Sequence, residues 1–287
     1  MKSVVVTGAS TGIGWATTKT LVAKGFRVFA GVRRETDAAR LSAEFGANIT
    51  PLTFDVTDTD AVTTAVATVA AALGAQTLAG LVNNAGIAVP GPLLHIPIAD
   101  MRRQLEVNLI GQLAVTQAFA PLLGTDPRRT GDKGRIVMMS SVADRGAFPF
   151  NGPYSTSKSA LDRLSEALRR ELMLFGIDVI VVAPGPINTP IWDKAEAVDL
   201  GAFASTPYVA ALDKTRYLML KMGRHGLPAE RVGAVVAEAL TTPRPRTRYV
   251  LTPTPFQYAL AQVLPKRMID RIIARRLGLM PAARSRN

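Results

Sequence analysis

The chain has 287 residues, enough for one large α/β domain or two small ones with a substantial core. It contains no cysteine, which excludes disulfides, thiolate metal sites and a cysteine nucleophile; with no signal-peptide pattern and no uninterrupted apolar run long enough for a bilayer, it reads as cytoplasmic. The net charge of +12 is unevenly placed: from Arg244 onward ten Lys/Arg face the single Asp270, so the body is near neutral and the tail is basic.

Residues 4–6 are a β-branched run that reads as a strand ending in Thr7-Gly8-Ala9-Ser10-Thr11-Gly12-Ile13-Gly14, and residues 15–23 follow as a helix closed by Gly25. Strand, glycine-rich turn and helix form the setting of a dinucleotide-binding fingerprint, spaced here as G-x-x-x-G-x-G. Gly8, Gly12 and Gly14 let the turn tighten around a pyrophosphate, and free amides at the helix start favour an anion. A second strand, residues 27–32, is followed by Arg33 and Arg34, where a protein selecting NAD(H) usually carries an acid for the ribose hydroxyls. Two arginines suit a 2′-phosphate, so the expected cofactor is NADP(H) rather than NAD(H).

Residues 48–56 make a third strand ending at Asp55, and residues 58–73 an alanine-rich helix. A fourth strand, residues 78–82, ends in Asn83-Asn84-Ala85-Gly86, small and amide residues that suit close packing of backbone beside a cofactor. Residues 98–123 are a long helical pattern interrupted around Asn108; residues 135–139 a fifth strand delivering Ser140-Ser141; residues 177–182 a sixth, closed by Pro184-Gly185-Pro186. Strands and helices alternating at this rhythm predict a parallel, doubly wound Rossmann sheet, with a ligand site at the carboxyl ends of its strands. Gly8, Asn83, Ser141 and Pro184 all fall at such ends.

Tyr154 and Lys158 stand one helical turn apart in a pattern that continues through Leu161, Leu164, Leu168 and Leu172. A nearby cation favours the phenolate, but lowering a phenol by ~3 units takes on the order of 4 kcal/mol, so a second positive charge, such as an oxidised nicotinamide, is expected beside it. Residues 187–226 are less regular and rich in aromatics and methionine; they read as a substrate-covering insertion or an ordinary pair of packing helices. Residues 228–240 form a helix and residues 249–251 a last strand. The extension at 253–287 carries an amphipathic basic helix, with Ile269, Ile272, Ile273 and Leu277 on one face and Arg267, Asp270, Arg271 and Arg275 elsewhere. It can pack on its own fold or a subunit, cap the pocket, or touch a membrane surface peripherally. Nucleic-acid binding is not expected, because no recognition module accompanies the charge. His95 and His225 lack partners at ligand spacing, so neither is assigned to a metal or to catalysis, and no metal is expected.

With Thr7-Gly8-x-x-x-Gly12-Ile13-Gly14, Asn83-Asn84-Ala85-Gly86, Ser141, Tyr154-x-x-x-Lys158 and Pro184-Gly185 in this order, residues 3–252 resemble the short-chain dehydrogenase/reductase family. The resemblance implies a tetrad of Asn108, Ser141, Tyr154 and Lys158, with Ser141 chosen over Ser140 because it stands thirteen positions before the tyrosine. It implies that Tyr154 exchanges a proton with the substrate oxygen, that Ser141 orients that oxygen, that Lys158 lowers the tyrosine's proton affinity and binds ribose hydroxyls, and that Asn108 holds a water linking the lysine to solvent. It also implies that Ser10, Thr11 and Ile13 line the phosphates, Asp55 and Val56 the adenine, and Ile187 and Thr189 the nicotinamide carboxamide. Ala85 and Gly86 would lie against the cofactor with Asn83.

The segments around Val142-Ala143-Asp144-Arg145 and Pro184 to Trp192 look most like the hydroxysteroid and retinol dehydrogenase-like branch. That likeness implies a bulky apolar alcohol or ketone, with Phe148, Phe150, Ile191 and Trp192 near the pocket mouth, and a homodimer or homotetramer. We therefore expect a single Rossmann domain that oxidises or reduces a lipophilic substrate with NADP(H). The alternative is a non-catalytic NADP(H)-binding sensor or scaffold.

Overall fold

The strands carry apolar residues in both phases of the pleat, and the fold buries both faces of the sheet they make. The computed structural model describes residues 1–281, so Arg284 and Arg286 of the basic tail lie outside the described residues. Its strands are β1 (Ser3–Thr7), β2 (Arg27–Val32), β3 (Ile49–Thr53), β4 (Gly80–Asn83), β5 (Arg135–Met139), β6 (Asp178–Pro184), β7 (Ile187–Asn188), β8 (Leu227–Pro228) and β9 (Arg248–Leu251). Its helices are α1 (Gly12–Ala23), α2 (Glu35–Phe45), α3 (Thr59–Leu73), α4 (Ile98–Leu105), α5 (Gly111–Ala120), α6 (Gly152–Glu171), α7 (Ile191–Glu196), α8 (Val209–Arg224), α9 (Ala229–Thr241), α10 (Pro255–Val263) and α11 (Lys266–Leu277).

The main sheet is parallel, in the order β3-β2-β1-β4-β5-β6-β9, and β7 pairs with β8 in a separate short ribbon. Val4, Val6, Val137 and Met139 face a core shared with α1, α2 and α9, whereas Val5, Ile136 and Met138 face one shared with α3, α5 and α6. From β1 the chain first winds toward β3 and then returns to build outward from β4, so the crevice opens between the carboxyl ends of β1 and β4.

Several boundaries differ from those expected. Helix α1 begins at Gly12 rather than Trp15, because the last glycines of the turn already belong to the helix. Strand β3 stops at Thr53, and Asp55 lies beyond it in a turn where its carboxylate accepts from the amide and hydroxyl of Thr57 at 3.0 and 2.8 Å. The break at Asn108 is a π-helical turn, Glu106–Ile110, between α4 and α5. Continuous helix from Ile98 to Thr125 has the length and composition to cross a bilayer, yet half of its most apolar 18-residue window is buried in the domain and it carries Gln104, Asn108 and Gln112.

The insertion folds as α7 and α8, with Phe203, Ala211 and Leu212 forming a small apolar cluster around Phe150. In the tail, Leu277 is buried and Leu279 joins that cluster, while Ile272 remains 55% exposed; the apolar face of α11 therefore packs on the insertion only toward its end. Arg248, counted with the basic tail by sequence, instead lies in β9 with its side chain half-buried between two carboxylates.

Candidate active site

The turn after β1 is fastened to the end of β4. Thr7 Oγ1 accepts from the amides of Asn84 and Ala85, both at 3.0 Å, and Asn84 Nδ2 donates to the carbonyls of Thr7 and Gly8 at 2.9 and 3.1 Å. Gly8 has φ +65°, and a Cβ at Gly14 would stand 2.1 Å from the Gly8 carbonyl oxygen, so neither position admits a side chain without moving backbone. Asn84 is thus the amide that organises the turn. Its neighbour Asn83 points inward, donating to Thr116 Oγ1 at 2.8 Å, so only its backbone faces the crevice side of the strand end.

The first turn of α1 has no acidic residue, and Thr11 makes no side-chain cap, which leaves its amides free for an anion. Ser10 and Ile13 are half-buried on this turn and Thr11 is exposed; the Ser10 carbonyl accepts from Arg40, a residue not singled out from the sequence. Thr189 closes over Gly12, whose added Cβ would lie 3.3 Å from the threonine Cβ. Ile187 is buried, and Pro184 sits at the end of β6 opposite Leu251. Bare backbone, a free helix start and a polar cap residue fit the phosphates of a dinucleotide.

Farther along the crevice, a cavity of about 360 Å³ is lined by Arg33, Asp55, Ile87, Arg102, Arg103 and Val107. Arg33 leans toward Asp55, with 3.9 Å between charged atoms, whereas Arg34 is exposed at the start of α2 and Val56 is buried. Arg102 and Arg103 come from α4. Their helical pattern gave no signal that they would meet Arg33.

Three buried amides hold the segment that follows β4. Asn108 Oδ1 accepts from the Ile87 amide at 2.8 Å and its Nδ2 donates to the Ile87 carbonyl at 3.0 Å and to Ser157 Oγ at 3.1 Å. Gln104 bridges the Val89 amide and the Ile87 carbonyl, both at 2.8 Å, and Gln112 donates to the Ala85 carbonyl. This network brings Gly86 against α6: a Cβ there would lie 3.3 Å from Asn108 Oδ1 and 3.8 Å from Lys158 Nζ.

Lys158 is buried, and its ammonium donates to the Met139 carbonyl at 2.7 Å. Burial lowers its pKa to about 8. Tyr154 lies one turn earlier, with Lys158 Nζ 5.7 Å from its ring centre. Its pKa is raised by the protein alone: desolvation dominates, the Ser141 hydroxyl acts in the opposite direction, and the charge of Asp144 adds to the rise, so a lowering needs the second positive charge expected from the sequence. Ser141 Oγ accepts from the Ala143 amide at 3.1 Å, while Ser140 Oγ is turned away from the crevice and donates to Asp144 Oδ2 at 2.8 Å. The structure therefore brings Asn108, Ser141, Tyr154 and Lys158 into one neighbourhood and leaves Ser140 outside it.

At the mouth, Phe150 adopts φ +65°, and its carbonyl accepts from the Gly91 amide at 2.8 Å. Its ring meets Tyr208 edge-on at 5.8 Å, and His95 meets the same tyrosine at 5.8 Å. Trp192 does not line this mouth: its indole donates to the Ile187 carbonyl at 2.7 Å and packs over Gly223, and Ile191 is half exposed to solvent. Phe148 is half-buried in the loop before Phe150.

The sequence profile described as short chain dehydrogenase matches residues 2–199. The NADPH-dependent 3-dehydrocapnine reductase of Ornithobacterium rhinotracheale is 39% identical over 95% of this chain and 96% of its own length. Human 17-beta-hydroxysteroid dehydrogenase type 6 is 32% identical, over 96% of this chain and 88% of that protein. A short-chain dehydrogenase from Streptomyces avermitilis superimposes with a TM-score of 0.75 at 27% identity, covering 96% of this chain and 94% of that one.

Proposed function

The chain belongs to the short-chain dehydrogenase family, and we propose that it is an NADP(H)-dependent oxidoreductase interconverting a lipophilic secondary alcohol and its carbonyl. The observation that carries this reading is the meeting of Ser141, Tyr154 and Lys158 at the carboxyl end of the sheet, beside a glycine turn with a free helix start. Similarity to a protein named for NADPH dependence supports the choice of cofactor, as do Arg33 and Arg34 beyond β2. Similarity to a hydroxysteroid dehydrogenase supports a bulky apolar substrate, as does the Phe150, Phe203 and Leu212 cluster under the insertion.

When bound, the nicotinamide exchanges a hydride with the substrate carbon and, oxidised, adds a positive charge to the site. Gly8, Ser10, Thr11, Gly12, Ile13 and Gly14 would hold the phosphates, Arg33 and Arg34 the 2′-phosphate, Asp55 and Val56 the adenine, and Ile187 and Thr189 the carboxamide. Backbone of Asn83, Ala85, Gly86 and Pro184 would complete the contact. Tyr154, a phenol and so protonated at neutral pH, would give its proton to a carbonyl oxygen, and burial makes it hold that proton more tightly. Ser141 would orient that oxygen, Lys158 would favour the phenolate left behind, and Asn108 would keep the backbone at Ile87 fixed beside the lysine.

Tyr154→Phe is expected to cut NADPH oxidation by a panel of apolar ketones at least ~100-fold while the NADPH dissociation constant stays unchanged. Retained turnover refutes Tyr154 as proton donor, and tight NADPH binding without turnover of any ketone by the wild type would leave a non-catalytic binder. Alanine at both Arg33 and Arg34 should weaken NADPH about tenfold or more, roughly 1.4 kcal/mol, and NADH much less. Equal weakening in calorimetry refutes the 2′-phosphate assignment. We place the enzyme in the cytoplasm as a homodimer or homotetramer, with the insertion roofing the substrate and the tail touching a membrane surface.

A further inference from the structure

Directly behind the tyrosine and lysine lies a buried charge cluster that no sequence motif announces. Arg248, from β9, donates through Nη2 to both carboxylate oxygens of Asp144 at 2.8 Å and through Nη1 to Asp162 Oδ1 at 2.6 Å. The Asp144 carboxylate is fully buried, and the Arg248 and Asp162 side chains are nearly so. Asp162 is held on its other side by Arg163 at 2.5 Å. Asp144 is also tied into the catalytic elements: Ser140 Oγ bonds its carboxylate, Ser159 Oγ donates to its carbonyl at 2.6 Å, and its amide donates to the Ser141 carbonyl at 3.1 Å. Ser140 further reaches the Lys158 carbonyl at 3.4 Å.

We propose that Arg248 is a positioning residue for the proton donor: by pinning and neutralising Asp144, it sets the electrostatic field in which the Tyr154 phenol ionises. The proposal rests on the reading of Tyr154 as acid/base. An uncompensated carboxylate at Asp144 would oppose the phenolate, because like charges disfavour one another most where water is excluded. The direction of Asp144's influence on Tyr154 and on Lys158 agrees, since it raises both. The groups facing this assembly are Lys158, Asp162, Arg163, Glu166 and Arg169 from α6, Ser140 and Ser141 from the end of β5, Arg145 from the loop beyond, Arg248 from β9, and the Tyr258 hydroxyl from α10.

The test is the titration of Tyr154 itself, read as phenolate absorbance in the difference between each protein and its Tyr154→Phe counterpart, with circular dichroism verifying the fold throughout. Arg248→Met should move the midpoint up by about one pH unit, a tenfold smaller phenolate fraction. Asp144→Asn should move it down, and Arg248→Lys should leave it near the wild-type value. Simple loosening would admit water in both the Arg248→Met and Asp144→Asn proteins and move both midpoints down, so opposite signs separate field from scaffold. Should Arg248→Met fail to fold, Asp144→Asn and the double variant carry the test, the double variant returning to within about half a unit of wild type. Shifts of the same sign, or no downward shift in Asp144→Asn, overturn the proposal. A shifted titration alongside an active Tyr154→Phe enzyme would instead refute the role of Tyr154 and leave the field effect standing.

Discussion

Two influences act on the proton of Lys158 in opposite directions. Burial strips water from the ammonium and lowers its pKa to about 8, while the Asp144 charge favours the cation. Between about pH 8 and the unfolded value of 10.5 the folded state holds fewer protons than the unfolded chain, so this group's contribution to stability rises with pH across that window and is lost as pH falls through the folded pKa. Urea unfolding of wild type and Lys158→Met at a series of pH values should show this slope only in the wild type; equal slopes would contradict the depressed lysine. That Tyr154 and Lys158 are neighbours was legible because residues four apart on a helix share a face, although the spacing alone says little about chemistry. Arg248, Gln104 and Gln112 were not, because a buried ion pair or amide acts across the fold and no local pattern marks the partner. Asn83 and Asn84 show the same limit at closer range: adjacent amides are equivalent in sequence, and only the pleat decides which of them reaches the glycine turn.

Helix α1 meets α9 at a contact that leaves no room for a Cβ. At Gly233 an added Cβ would stand 2.6 Å from Thr20 Oγ1 and 2.8 Å from the Ala16 carbonyl oxygen. Alanine there gains up to about 1 kcal/mol of helix propensity, but the obstacle includes backbone, so we expect a net loss of about 1–3 kcal/mol in urea unfolding. A stabilised variant would mean that the helices can separate freely. Because α1 begins at the glycine turn, the same variant should also weaken NADPH binding. The strands were legible because their two-faced burial demands unbroken apolar runs, and Asn108 marked the π turn between α4 and α5. Less legible were the ends of elements and the insertion. Its helices α7 and α8 depend on Trp192 filling the space above Gly223, a contact made across 31 residues of chain.

At the scale of the molecule, the charge carried by the tail divides in two. Arg248 is internal, whereas Lys266, Arg267, Arg271, Arg275 and Arg276 are exposed on α11, near the exposed apolar side chains of Phe256, Val263 and Ile272. Such a surface suits an anionic bilayer, at about 1 kcal/mol per basic residue near the headgroups. Because Leu277 and Leu279 pack inward, deleting the tail would disturb the insertion, and charge reversal is the cleaner probe. Arg267→Glu with Arg271→Glu should reduce co-sedimentation with phosphatidylglycerol-containing vesicles about tenfold or more, with little change on phosphatidylcholine alone. Unchanged co-sedimentation removes the membrane from the account.

The order of the chain gives β9 a further consequence, one of biosynthesis. Asp144 and Asp162 emerge from the ribosome long before Arg248, and at about 5–20 residues per second the nascent chain spends several seconds with both acids awaiting that cation. During that interval the outer edge of β6 is unpaired and the interior behind Tyr154 cannot close dry around two carboxylates. Leu279, which completes the roof around Phe150, arrives later still. The region that holds Tyr154 is therefore sealed by the last segments made, so a chain cut short before β9 carries Asn108, Ser141, Tyr154 and Lys158 without the enclosure that β9 and the tail supply.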